Sequence, residues 1–136
     1  MFFIDPMSRT PIYEQLTAQT EKLLMLGVIE AGYQMPSVRS LSCTLSINPN
    51  TVQKAYNDLC SRGVLVSVPG KGCFVAEGAV ALLKAQSRAR LSAFEELVRE
   101  LKLAGIEKTD LTAIVDDLYV ERSEGDAASN ASDKAL

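Results

Sequence analysis

No histidine occurs anywhere in the 136 residues, so the commonest metal ligand and the commonest general base are both missing. Cys43, Cys60 and Cys73 are odd in number, widely spaced and outside any C-x-x-C pattern. Neither a disulfide framework nor a zinc site is suggested by them. The apolar runs are short and broken by charge, and none approaches the ~20 residues that span a bilayer. The N-terminal MFFIDPMSR lacks the basic-then-apolar order of a secretory signal. The adjacent carboxylates Asp116 and Asp117 point in different directions from a helix, and the isolated Gly70-Lys71-Gly72 lacks the spacing of a phosphate loop. The expectation is a cytoplasmic protein that is not an enzyme, uses no cofactor or metal, and has no membrane partner.

Apolar residues make up 47% of the chain, enough for one compact domain with an appendage. The net charge of −3 hides an asymmetry. Between Gln34 and Ala76 stand Arg39, Lys54, Arg62 and Lys71 against Asp58 alone, a local +3 that leaves −6 for the rest of the chain. Binding to a polyanion depends on such a local patch rather than on the total.

Thr10 before Pro11 predicts a helix start, with Thr as cap and Pro in the first turn. Ile12, Leu16, Leu23 and Leu24 then recur at helical spacing, and Gly27 is the expected stop. Ser37 can cap a short second helix carrying Val38, Leu41 and Leu45 and ending near Ser46. Asn48 can cap a third, with Pro49 at its first position and Val52, Ala55, Tyr56, Leu59 and Cys60 as its inward stripe up to Gly63. VLVSV and CFVA read as strands joined at Pro69-Gly70, a pair suited to a turn with positive φ at its third position. Helix, short helix, tight turn, helix and hairpin describe a winged helix-turn-helix. The fold class expected is α+β, mostly helical.

Asn50, Thr51, Gln53, Lys54 and Asn57 project away from the stripe of the third helix. The first turns of such a helix enter the major groove, where Asn and Gln read adenine and Thr or Lys meet bases or phosphates. Arg39, at the start of the second helix, and Lys71, at the hairpin tip, suit phosphate contacts that make binding salt-dependent. The same polar face would be unremarkable as a solvated helix surface; the cationic tip and Arg39 favour DNA.

The stretch from Met35 to Val75 resembles the DNA-binding domain of the GntR family of bacterial transcription regulators. The resemblance rests on Pro36, Ser37, Arg39, Leu41, Asn50, Thr51, Val52, Ala55, Tyr56, Gly70, Gly72, Phe74 and Val75. It implies operator contacts from Arg39, Asn48, Asn50, Thr51, Gln53, Lys54, Gly70 and Lys71. The sequence departs from the family at Pro49, where several relatives have arginine, at Ser46, where glycine is usual, and at Cys73, where threonine is usual. "INPNTV" and the short C-terminal segment resemble the YtrA subfamily, whose members are dimers and often sit in operons with ABC transporters.

From Gly78 the composition turns to strong helix formers. Leu91, Phe94, Leu97, Val98 and Leu101 form one apolar stripe, and Leu111, Ile114, Val115 and Leu118 another in a short helix that Thr109 can cap. Two helices cannot bury both stripes by themselves, so they read as a dimer seam; they offer little concave volume for a small-molecule effector, which is not evident. The division expected is 1–76 for the winged helix-turn-helix, 77–120 for a two-helix dimerisation segment and 121–136 for a disordered tail. The function expected is a homodimeric, sequence-specific regulator, a repressor on palindromic double-stranded operator DNA. Its rival is a winged-helix protein-interaction module without operator binding.

Overall fold

The computed structural model describes residues 1–135, with side chains described as far as Glu121; the expected tail falls almost wholly outside these fully described residues. The elements in chain order are α1 (Ile12–Met25), α2 (Val38–Leu45), α3 (Pro49–Ser61), β1 (Leu65–Val68), β2 (Gly72–Val75), α4 (Ala79–Ala89), α5 (Leu91–Leu103) and α6 (Lys108–Ala135). Two compact units result, Met1–Ala89 and a second from Arg90 onward.

Two of the four expected caps form as read; the cap expected at Thr109 does not, because α6 already begins at Lys108 and Thr109 lies inside its first turn. Ser37 accepts from the Ser40 amide at 3.0 Å, and Asn48 accepts from the Asn50 amide at 2.8 Å with Pro49 opening the helix. The first cap is different: Pro11, not Thr10, is the flanking residue of α1. Its ψ of 148° keeps it outside the helix and no side chain caps this end, while its carbonyl already accepts the first intrahelical bond, from Gln15. Thr10 instead offers its carbonyl to the Gln15 side chain.

That same Gln15 joins the unexpected part of the first unit, an N-terminal arm laid along α1. Gln15 and Gln19 present their amides to the arm as a strand edge would. The Asp5 amide donates to Gln15 Oε1 at 2.9 Å and the Phe3 amide to Gln19 Oε1 at 2.8 Å, with the Gln19 side chain donating back to the Phe3 carbonyl. Phe2 and Ile4 pack against the core as a result.

The core is built from the inward stripes of the three helices and the wing: Leu16, Leu24, Leu41, Val52, Ala55, Leu59, Val64, Leu65 and Val75 are all buried. β1 and β2 pair antiparallel, Ser67 facing Cys73 and Val66 facing Phe74. The other edge of β2 is covered by the linker before α2, which the sequence does not betray as a strand. Gln34 bridges Phe74, and the Gly32 and Met35 amides donate to Val75 and Cys73. β2 is thereby held on both sides.

α4 belongs with this unit, because Ala79 and Leu83 are buried among its core residues. The helical run expected to be continuous from Gly78 is interrupted at Arg90, which sits at φ −76°, ψ −7°. No glycine or proline marks the break, so nothing local in the sequence announces it. The second unit contains α5 and α6, joined through Gly105.

Candidate nucleic-acid interface

The geometry of the helix-turn-helix is set at Ser46. This residue has φ 55° and ψ 45°, and among the described residues it is the only non-glycine with positive φ. Its amide donates to Cys43 and that of Ile47 to Ser42, the paired bonds of a Schellman closure. The closures of α1, α3 and α5 use the same pattern with glycine at the corresponding place. The departure from glycine at 46 therefore leaves the turn's backbone intact and places a side chain in a strained conformation.

Beyond this turn, α3 divides its exposed face. At about 100° per residue, Asn50 lies at the centre, Gln53 and Asn57 on one flank, and Lys54 and Asp58 on the other. Gln53 Nε2 donates to Asn57 Oδ1 at 2.8 Å. The pair is locked at helical i,i+4 spacing, and the Gln53 carbonyl oxygen and the Asn57 amino group remain available to a groove.

On the second flank Lys54 does not extend freely. Its ammonium sits 4.0 Å from the centroid of the Tyr13 ring on α1. Further along, Arg62 pairs with both Glu21 and Asp58, tying α3 to α1. One of the four cations between Gln34 and Ala76 is thus spent on the fold. Arg39, Lys54 and Lys71 form no ion pair among the described residues, and all three are exposed.

The wing tip is a turn closed by the Lys71 amide donating to the Val68 carbonyl at 3.0 Å, with Gly70 at φ +75° as a type II turn requires at its third position. Gln34 braces this tip: its Nε2 donates to the Lys71 carbonyl at 3.0 Å. A Cβ at Gly72 would lie 3.0 Å from that same nitrogen, at a φ of +125°. Gly72 is needed for the brace.

These parts enclose one cleft, of about 470 Å³, between the wing, the start of α2 and α3; Gln53, Asn57, Gly70 and Lys71 line it. Arg39, Asn48, Asn50, Thr51 and Lys54 lie outside its lining. Arg39, Asn48 and Asn50 are exposed and Thr51 is half-buried. Asn48 commits its side-chain oxygen to the cap. Asn57 and Gln34 complete the site: Asn57 lay on the exposed face in the sequence but past the first turns, and Gln34 is separated from Lys71 by 37 residues, a distance over which no local pattern operates.

Cys73 has the opposite environment to an activated thiol. Burial, first, and the neighbouring Cys60 push its pKa up to about 12. Tyr56, also on the cleft wall, is raised too, chiefly by burial. Its hydroxyl donates to the Pro36 carbonyl at 2.6 Å and so fixes the start of α2 to α3.

In the second unit no residue of α5 is buried. Leu91, Phe94, Leu97, Ile114, Val115 and Leu118 are exposed, while Val98, Leu101 and Leu111 are half-buried. Phe94, Val98, Leu111 and Val115 line an open apolar hollow of about 340 Å³. No helix among the described residues is long and apolar enough to cross a membrane.

Residues 12–75 match the family described as bacterial regulatory proteins, gntR family. The chain is 36% identical over 108 residues to the HTH-type transcriptional repressor YtrA of Bacillus subtilis, covering 79% of this chain and 83% of that protein. Among solved structures, a GntR family transcriptional regulator from Listeria monocytogenes superposes with a TM-score of 0.67 at 29% identity, over 84% of this chain and 98% of that one. YtrA from Sulfolobus acidocaldarius, a GntR-family transcription factor, does so with a TM-score of 0.59 at 32% identity, over 71% and 97%.

Proposed function

The chain belongs to the GntR family and is a transcription regulator with a DNA-binding winged helix-turn-helix, not an enzyme; from this we propose that it is a cytoplasmic, homodimeric repressor whose two winged helices occupy the half-sites of a palindromic operator. The observation that carries the reading is the cleft shared by Gln53 and Asn57 of α3 and Gly70 and Lys71 of the wing. It combines amides able to read base edges with a cation suited to a phosphate. Arg39, Asn48, Asn50, Thr51 and Lys54 extend that contact along the backbone and groove.

A two-fold site calls for a two-fold protein, with recognition helices about one DNA turn apart or a multiple of it. The exposed apolar faces of α5 and α6 support the second copy as their cover. The likeness to the Bacillus repressor YtrA supports repression; the subfamily resemblance of the sequence adds the protein's own operon and an ABC transporter as the proposed regulated genes. A small-molecule effector would act by changing the spacing of the two winged helices.

The test is a gel-shift titration on the duplex upstream of the protein's own gene, at two salt concentrations, against a scrambled duplex. Selective binding that weakens with salt is expected. Equal binding to both duplexes, or none, contradicts operator recognition and returns the fold to a protein-docking role.

A further inference from the structure

Cys60 Sγ and Cys73 Sγ lie 3.9 Å apart, both half-buried and both on the wall of the cleft between α3 and the wing. Cys60 stands in the last turn of α3 and Cys73 in β2. The two thiols therefore bridge the two elements that the DNA reading needs to act together. Among the described residues no cluster of three or more ligating side chains could hold a metal, so the pair is not part of such a site.

We propose that Cys60 and Cys73 are a redox site, oxidised by hydroperoxides to a disulfide that ties the recognition helix to the wing and weakens DNA binding. This inference rests on the cleft being the DNA-binding face. One sulfur, as its thiolate, attacks an oxygen of hydrogen peroxide; the O–O bond breaks and the departing oxygen takes up a proton to leave as water. The second sulfur then attacks the sulfenic acid so formed. The S–S bond forms as the S–O bond breaks, and a second water leaves. Two thiols give up two protons and two electrons, and one peroxide becomes two waters.

The geometry gives the bond a mechanical consequence. The sulfurs must close from 3.9 Å to about 2.05 Å, which draws β2 toward the end of α3. Lys71 is two residues from Cys73 and is braced by Gln34, so the wing tip shifts relative to Gln53 and Asn57. Burial holds the Cys73 thiol protonated and so makes it a slow nucleophile, and the switch answers to sustained oxidant rather than traces. Cys43 is exposed and lies elsewhere, on α2, which allows it to be removed from the experiment.

The test uses the full-length Cys43→Ser protein, reduced or treated with hydrogen peroxide, then denatured and alkylated with N-ethylmaleimide. Reduced protein should take two adducts. Oxidised protein should take none, with a mass lower by two hydrogens, and should bind the upstream duplex about tenfold more weakly until dithiothreitol restores it. Adding Cys60→Ala, or separately Cys73→Ala, should leave affinity unchanged by peroxide. Two adducts persisting after peroxide, or a disulfide that leaves affinity unaltered, overturns the proposal. Failure of the reduced protein to bind DNA overturns the reading of the cleft, while the adduct count still judges the redox site by itself.

Discussion

The Lys54 ammonium rests over the Tyr13 ring, 4.0 Å from its centroid, so a cation of the recognition helix is positioned by α1. The Tyr13 hydroxyl donates to Glu14 at 3.1 Å. That hydrogen bond, and the charge of the same carboxylate, keep its pKa above the usual value. The ring stays a neutral phenol and a good partner for the cation.

Lys54→Ala is expected to weaken binding to operator and scrambled duplex alike, and to reduce the salt slope by about one for each protomer. Tyr13→Leu keeps the charge but loosens its placement. Its expected loss of affinity is roughly twofold to fivefold, the scale of an exposed cation–π contact, with the slope retained. Titrations at several salt concentrations separate the two outcomes.

Ser46→Gly should stabilise the protein by up to about 1 kcal/mol, since glycine adopts positive φ without the steric cost borne by serine. Part of the gain is offset by glycine's greater freedom in the unfolded chain. The Ser46 side chain makes no hydrogen bond among the described residues that this change would remove. Urea unfolding of the two proteins measures the difference; an unchanged or lower midpoint would show that the serine contributes elsewhere.

The packing of α4 alters where the chain can be cut. A chain ending at Ala89 retains the buried Ala79 and Leu83 and should fold as a monomer. One ending at Ala76 loses both, and removal of a buried leucine alone costs about 2–5 kcal/mol. Phe94→Asp with Leu97→Asp in the full chain should convert a dimer to a monomer while leaving the first unit folded. Sedimentation together with thermal unfolding checks all three proteins.

Local chemistry made the centre of the fold legible. Ser37, Asn48-Pro49 and Pro69-Gly70 each specify a cap or turn through bonds spanning two or three residues, and all appear where they were read. What escaped depends on distant partners. The arm needs Gln15 and Gln19 to meet Phe3 and Asp5, and the cover on the outer edge of β2 needs Gln34 to meet Phe74. The candidate site divides in the same way. Gln53 and Lys71 were legible from residue type and position, whereas the brace from Gln34, the docking of Lys54 on Tyr13 and the approach of Cys60 to Cys73 arise only when separate elements pack.

The most direct measurement of the central claim is the ratio of affinities for the operator and a scrambled duplex in the wild type, Gln53→Ala and Lys71→Ala. Gln53→Ala removes the amide proposed to read base edges and frees Asn57 from its hydrogen bond; the ratio should fall about tenfold, within the range for one lost base contact. Lys71→Ala should weaken both complexes equally and leave the ratio unchanged. A Gln53→Ala protein that keeps the wild-type ratio, or a Lys71→Ala protein that loses it, would contradict the division of labour assigned to helix and wing.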